Sequence, residues 1–340
     1  MKPVQDFLPG VAELQGDPKT SQGAPGEGAE AESLASMQGS LIEEAAPVSL
    51  GRAKPKSSRG LMPVHHPNRD FFLCDLFDYA LKDDGVSMEA PIFTLATRPD
   101  TSEWYWESKD GSRSITVTPS VRGRATQFDK DLLIYVVSQM TEALNRGRPD
   151  ASSRTVRFRV YDYLASTNKP SGGKEYKRLE EALDRLRGTS IKTNIKTGGQ
   201  RVKEGFGIVD SWTIIEKAPD DDRMVAVEVT LSKWLFNAVQ AHEVLTINRD
   251  YFRLRKPIER RLYELARKHC GDQARFAIGI ELLQEKCGSQ SSLREFRRAL
   301  REIALADTLP DYRMHLDEEK DQVIFSNRDA KKLALGYQTA

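Results

Sequence analysis

Long apolar runs are missing from this sequence of 340 residues. No stretch approaches the 18 or more consecutive apolar residues of a membrane-spanning helix, and the N-terminus lacks the basic-then-apolar order of a secretory signal. The chain is therefore expected to stay in the cytoplasm and to have no membrane partner. Cysteine is scarce too: Cys74, Cys270 and Cys287 are odd in number and widely spaced, which fits neither a disulfide framework nor a zinc ribbon, so they read as reduced thiols. The five histidines, His65, His66, His242, His269 and His315, are scattered or merely adjacent. They do not supply the three-histidine metal site that a tyrosine-dependent nicking enzyme would need. Nucleotide loops are absent as well. In residues 168–175, Asn168 stands where a phosphate loop has its first glycine, and Glu175 where a Ser or Thr would hold magnesium. Gly205-Phe206-Gly207 has Asp210 in place of a third glycine and leads into a strand, so a dinucleotide fingerprint fails too. No catalytic residue, metal or cofactor is assigned, and the chain is read as a non-enzyme. Asp220-Asp221-Asp222, after Pro219, reads as a solvated turn between strands.

What the sequence does have is charge, unevenly spread. With 39% hydrophobic and 30% charged residues it is long enough for two ordinary domains. Residues 1–64 are rich in Gly, Ala, Ser, Glu and Pro and hold almost no aromatics, a composition that cannot bury enough apolar surface to offset ordering entropy, so a disordered tail is expected there. The net charge of +1 hides two basic regions: residues 146–217 hold 16 Lys/Arg against 9 Asp/Glu, and residues 249–313 hold 15 against 10. Partners feel such local fields and not the total.

Periodicity places the elements. Phe71-Phe72, Phe77 and Tyr79 suit a short helix, Ile92 to Thr97 a strand, and Trp104-Tyr105-Trp106 with Ile115 to Thr118 a hairpin around Asp110-Gly111. Phe128, Leu132, Leu133, Val136, Val137, Met140 and Leu144 make 128–146 an amphipathic helix ended by Gly147 and Pro149. Val156 to Ser166 reads as a second, shorter helix. A third, about 174–187, turns Tyr176, Leu179, Leu183 and Leu186 inward and leaves Lys174, Lys177, Arg178 and Arg185 outward. Strands follow at 191–196, 206–215 and 224–230. The order then repeats: helices at 234–239, 257–269 and 280–286, an S-x-x-E capping box at Ser292 to Glu295 opening a helix to about Ala306, and a hairpin of 312–316 with 323–325. Helix, helix, turn, basic helix and strands is the order of a winged helix. The expected fold class is α+β: two tandem winged-helix (helix-turn-helix) domains, at 65–229 and 230–330, between the N-terminal tail and a short C-terminal tail at 331–340.

The sharpest feature lies in the last long helix. Arg294, Arg297, Arg298 and Arg301 sit at i, i+3, i+4 and i+7, so four guanidinium groups share one face while Leu293, Phe296, Leu300 and Ile303 supply the packing face. Arginine contacts phosphates or pairs bidentately with guanine, and a helix of this width fits the major groove. The plain alternative is a solvated stripe with Glu295 and Glu302 as ion-pair partners, but a second basic helix in a matching context favours double-stranded DNA. Base readout is therefore expected from the four arginines, and mainly backbone contacts from Lys174, Lys177, Arg178 and Arg185. Lys192 and Lys196, with Arg201 and Lys203 beyond them, would form a wing that tracks phosphates. The second hairpin carries Asp317, Glu318, Glu319 and Asp321 at its tip, which would repel phosphate.

Two stretches carry a family resemblance: Cys287-Gly288-Ser289-Gln290-Ser291-Ser292 leading into the arginine helix, and Glu175 to Leu186. Both look like the helix-turn-helix segments of plasmid replication initiators, and the chain over roughly 65–330 is similar to the replication initiator protein A family. The resemblance implies binding to direct repeats (iterons) in a plasmid origin, melting of adjacent AT-rich DNA, and recruitment of the host initiator and replicative helicase. It also implies a switch between monomers that start replication and autorepressing dimers, the first domain supplying the dimer contact; the β elements near Trp104, Trp106 and Trp212 are the candidates for it. A winged-helix transcriptional regulator that does not open DNA is the alternative role.

Overall fold

The computed structural model describes residues 80–108, 110–194, 204–218, 221–329 and 331. The chain separates into two units, Met1–Lys54 and Pro55–Ala340; the first lies wholly outside the described residues. So do the expected helix around Phe71 to Tyr79, the His65-His66 pair, Cys74, Lys196, Arg201 and Lys203.

The described chain opens with strand β1 (Lys82–Asp84), helix α1 (Gly85–Glu89) and strands β2 (Trp104–Glu107) and β3 (Ser114–Thr118). Next come α2 (Lys130–Asn145), β4 (Thr155–Arg159), α3 (Val160–Ser166), α4 (Gly173–Gly188), β5 (Ser190–Thr193), β6 (Glu204–Gly207), β7 (Val209–Ala218) and β8 (Asp221–Leu231). After α5 (Lys233–Gln240) and β9 (Val244–Thr246) follow α6 (Pro257–His269), β10 (Arg275–Gly279), α7 (Ile280–Cys287), α8 (Leu293–Ala306), β11 (Tyr312–Asp317) and β12 (Gln322–Asn327). The protein is thus mixed α and β, with an internal repeat. In each half a long helix, a strand, two helices and a hairpin succeed one another, and the strand joins the hairpin in an antiparallel three-stranded sheet, ordered β4-β8-β7 in the first half and β10-β12-β11 in the second.

Each half buries its own apolar set. Leu132, Leu133 and Val136 of α2 pack with Leu183 and Leu186 of α4 and Val227 and Val229 of β8. Leu262 and Tyr263 of α6, Leu283 of α7, Phe296, Leu300 and Ile303 of α8 and Phe325 of β12 form the second core. Neither Cys270 nor Cys287 is in a disulfide; both are buried in that core, and burial pushes the Cys287 thiol up to about 12. Gly147, at φ +61°, lets the chain leave α2 through the left-handed region that a side chain disfavours.

Three element readings need correction. Thr155–Arg159 is a strand and not the start of a helix, because Thr155, Val156 and Phe158 pair with Thr230, Val229 and Val227 of β8 and Phe158 turns inward at every second position. Ile92 to Thr97 makes no strand beyond one bridge, Thr94 to Thr126; Ile92 and Phe93 are buried, and the segment is stapled by Thr94 Oγ1 donating to Asp100 (2.7 Å) and by Arg124 to the same carboxylate (2.9 Å). Most consequentially, β5 belongs to a four-stranded sheet, β2-β3-β5-β6, where Lys192 lies opposite Thr116. The hairpin that follows the basic helix and completes its sheet is β7–β8; Asp221 and Asp222, expected in a turn, stand in β8, where Asp221 pairs with Ala218, and Asp220 lies outside the described residues. Lys192 therefore does not stand on the hairpin that completes the sheet of the first repeat.

The halves are joined by buried charge. At the start of α2, the Lys130 ammonium lies 2.7 Å from Asp83 and 3.1 Å from Glu264 of α6, all three buried. The neighbouring Asp131 accepts from Arg260 of α6 and from Lys169. Arg261 donates to Glu264 (3.2 Å) and to the carbonyls of Ser87, Met88, Glu89 and Lys286 (2.7–3.1 Å), so each of its own three guanidinium nitrogens is satisfied.

Candidate nucleic-acid interface

The clearest basic surface is built by α8. Ser292 caps it by accepting from the Glu295 amide (3.3 Å), while the Glu295 carboxylate accepts from the Ser292 amide (3.1 Å), so two orphan donors of the first turn are satisfied reciprocally. Hydrogen bonds from Ser292 hold the Glu295 carboxyl below its usual range. This cap sets the helix phase. Phe296, Leu300 and Ile303 face the core at 0–1% exposure, and Arg294, Arg298 and Arg301 are exposed on the other side. Gly288, at φ +68°, makes the turn between α7 and α8, and a Cβ there would come within 2.7 Å of Pro91.

The arginines differ in their surroundings. Arg297 is part-buried and grips Asp321 at the β11–β12 tip, with Nη2 2.7 and 2.9 Å from the two carboxylate oxygens and Nε 3.2 Å from Oδ1. Arg301 donates to Glu318 of the same tip (2.9 Å). Arg298 stands 3.8 Å from Glu302, one turn on, and Arg294 has no acidic partner within ion-pair distance among the described residues. The acidic tip is thus placed against two of the expected reading residues. Sequence spacing could not show it, because the pairs close over 24 and 17 positions and depend on how the hairpin folds back beside α8.

In the first repeat, α4 turns Leu179, Leu183 and Leu186 into the core and presents Lys174, Lys177 and Arg178 to solvent, Arg178 pairing with Glu175 one turn back. Arg185 departs from the expected outward position. Its guanidinium makes a two-pronged contact with Asp129, Nε and Nη2 lying 2.7 and 2.8 Å from the carboxylate at the head of α2. That hydrogen-bonded carboxylate raises the Arg185 pKa and holds the side chain half-buried. Arg185 therefore clamps α4 to α2, with its Nε–Nη2 edge taken up by Asp129. Lys192 is exposed but on the other sheet. The β4 correction also brings Arg157 and Arg159 into view as exposed cations on an edge strand, although Arg157 has Glu228 3.6 Å away.

Of the aromatics named for self-association, Trp106 is buried in the first core, and Trp104 and Trp212 are packed against it. Tyr105, between the first two on the edge strand β2, is 58% exposed. No helix among the described residues is long and apolar enough to cross a membrane.

Comparison with known proteins agrees with the resemblance noted from the sequence. A protein described as a putative replication protein from Wigglesworthia glossinidia brevipalpis is 37% identical over 262 residues, covering 76% of this chain and 94% of that one. The crystal structure of domains 2 and 3 of RctB superposes with a TM-score of 0.53 over 71% of this chain and 96% of the other, at 13% identity, which is a likeness of fold alone. The family model for replication initiator protein A matches residues 82–314, a span that takes in the first repeat, the second as far as the start of β11, and both basic helices, and the chain belongs to that family.

Proposed function

We propose that each repeat is a winged-helix domain and that the protein starts plasmid replication by binding direct repeats in its origin as double-stranded DNA, with α8 reading bases and α4 gripping backbone. The observation that carries this is the split of α8: an arginine face in solvent opposite a face at 0–1% exposure, held in phase by a closed capping box. Such a helix is the size of the major groove, and two of them on one side of a duplex meet successive grooves about 10 bp apart. Lys174, Lys177 and Arg178 supply charge for phosphates, which adds affinity without sequence preference. Melting of adjacent AT-rich DNA, recruitment of the host initiator and replicative helicase, and autorepression by a dimer associating around Tyr105 on β2 complete the reading; the protein itself performs no covalent chemistry.

The test is binding to the DNA upstream of its own gene, by gel shift with footprinting across a salt series. Protection of regularly spaced direct repeats, weakening steeply as salt rises, is the expected result. Protection of a single inverted repeat without opening of nearby AT-rich DNA would make the protein a transcriptional regulator instead. Within the protected repeat, Arg298→Ala is expected to cost about 1 to 3 kcal/mol of specific binding, as the loss of a bidentate guanine contact does; an unchanged affinity removes Arg298 from the reading set.

A further inference from the structure

The acidic tip of the second hairpin is poorly placed for a protein that grips phosphate, and its geometry is too well fixed to be incidental. The tip, residues 317–321, carries Asp317, Glu318, Glu319 and Asp321. Asp317 accepts from the Lys320 amide (3.1 Å) and from Gln322 Nε2 (3.2 Å), and those bonds hold its carboxyl below its usual range. The Asp321 carbonyl accepts from the Ile280 amide at the start of α7 (3.1 Å), so the tip is tied to the helix pair that it flanks. Asp321 itself lies at φ +48°, in the left-handed region that suits a short polar side chain. From this anchored turn, Asp321 takes both Nε and Nη2 of Arg297, and Glu318 takes Nε of Arg301.

Resting on the DNA reading above, we propose that Asp321 and Glu318 are specificity-determining residues: they set two arginines of α8 against phosphate while leaving them free to read bases. A phosphate that approaches Arg297 or Arg301, whether at Nη1 or in place of the carboxylate, sits beside that carboxylate, like charge against like. A guanine edge is a neutral acceptor, and Arg297 with Asp321 on Nε and Nη2 still has the N–H groups of Nη1 to offer. The carboxylates therefore penalise sequence-independent binding more than the specific complex, which is how repulsive elements sharpen recognition. An exposed ion pair is a weak lock on its own, so this is a competition at the DNA surface and not a closed gate.

The test uses the full-length protein with two probes, a random-sequence duplex and the fragment protected in the footprint, followed by fluorescence anisotropy across a salt series. The double variant Glu318→Gln with Asp321→Asn keeps side-chain size and hydrogen-bonding capacity at two exposed positions, so folding should be unaffected. It is expected to bind the random duplex about tenfold more tightly at 0.1 M salt, with a dependence on log salt steeper by about 1.8, the value for two additional phosphate contacts. Binding to the protected fragment is expected to tighten less, so that the specificity ratio falls. Glu319→Gln, which removes one charge from the same tip where no arginine pair stands among the described residues, should change the ratio little. Unchanged or weaker binding of the double variant to random duplex overturns the inference, and so does an equal effect of Glu319→Gln, which would reduce it to bulk charge. If the wild type protects no fragment, the DNA reading itself fails and the inference falls with it; specific wild-type binding with an unaltered variant sinks the inference alone.

Discussion

Arg185 and Arg298 carry the same charge on basic helices, and folding gives them opposite tasks. Arg298 is 78% exposed at its side chain, with only a distant Glu302 beside it, whereas Arg185 is 20% exposed and pinned by two bonds to Asp129. The spacing of apolar residues in α8 was enough to place Arg294, Arg298 and Arg301 in solvent. For Arg185 the spacing misleads, because its partner lies 56 positions away and helix periodicity carries no information about another helix's end. Arg185→Ala is accordingly expected to act on stability and not on DNA contact. It removes a charge-assisted bidentate pair and should cost about 1.5 to 3 kcal/mol in denaturant unfolding, with affinity for DNA nearly unchanged at temperatures where the variant remains folded. A variant of wild-type stability that loses DNA affinity would return Arg185 to the interface.

At the scale of elements, legibility followed the source of the signal. Helices whose ends are written locally were read closely: α6 begins at Pro257, and α8 begins after Ser292 with Glu295 three residues on. Strands whose identity depends on partners were not. The alternation in Thr155–Arg159 is only five residues long and merges with the helix that follows, and nothing local in Ser190–Thr193 distinguishes pairing with β3 from pairing with β8. The capping box supplies a prediction at this scale. Ser292→Ala removes the acceptor for the Glu295 amide and a hydroxyl donor to its carboxylate, and should cost about 1 kcal/mol of unfolding free energy. Because the first turn of α8 carries Arg294, fraying there should also weaken specific binding more than Arg294→Ala weakens it alone. Stability and affinity that both match the wild type would show that packing of Phe296 and Leu300 fixes the helix without its cap.

At the scale of the whole described chain, the two repeats are held by an ionic joint that no local pattern announces, since Lys130, Asp131, Arg260 and Glu264 all occupy helices otherwise read as simply amphipathic. The joint makes stability depend on pH. Burial pushes the Asp83 carboxyl up to about 8, against the pull of Lys130 2.7 Å away. Its ordinary value is 3.8, so between pH 4 and 8 the folded chain holds a proton there that the unfolded chain has released. The unfolded state then binds fewer protons, and stability falls as pH rises through that window. The contribution is fully present below about pH 4 and is lost by about pH 8, opposite in sign to that of a carboxylate stabilised by its ion pair. Asp83→Asn keeps a hydrogen-bonding group in the pocket without the ionisation, so unfolding midpoints measured from pH 5 to pH 8 should decline less for the variant than for the wild type. Equal slopes would mean that Asp83 stays ionised against Lys130 throughout and that the joint is a pair of fixed charges. That is the behaviour of an ordinary salt-bridge carboxylate, which above about pH 5 is ionised in the folded and the unfolded chain alike and adds no slope, and burial would then be the weaker of the two forces acting on Asp83.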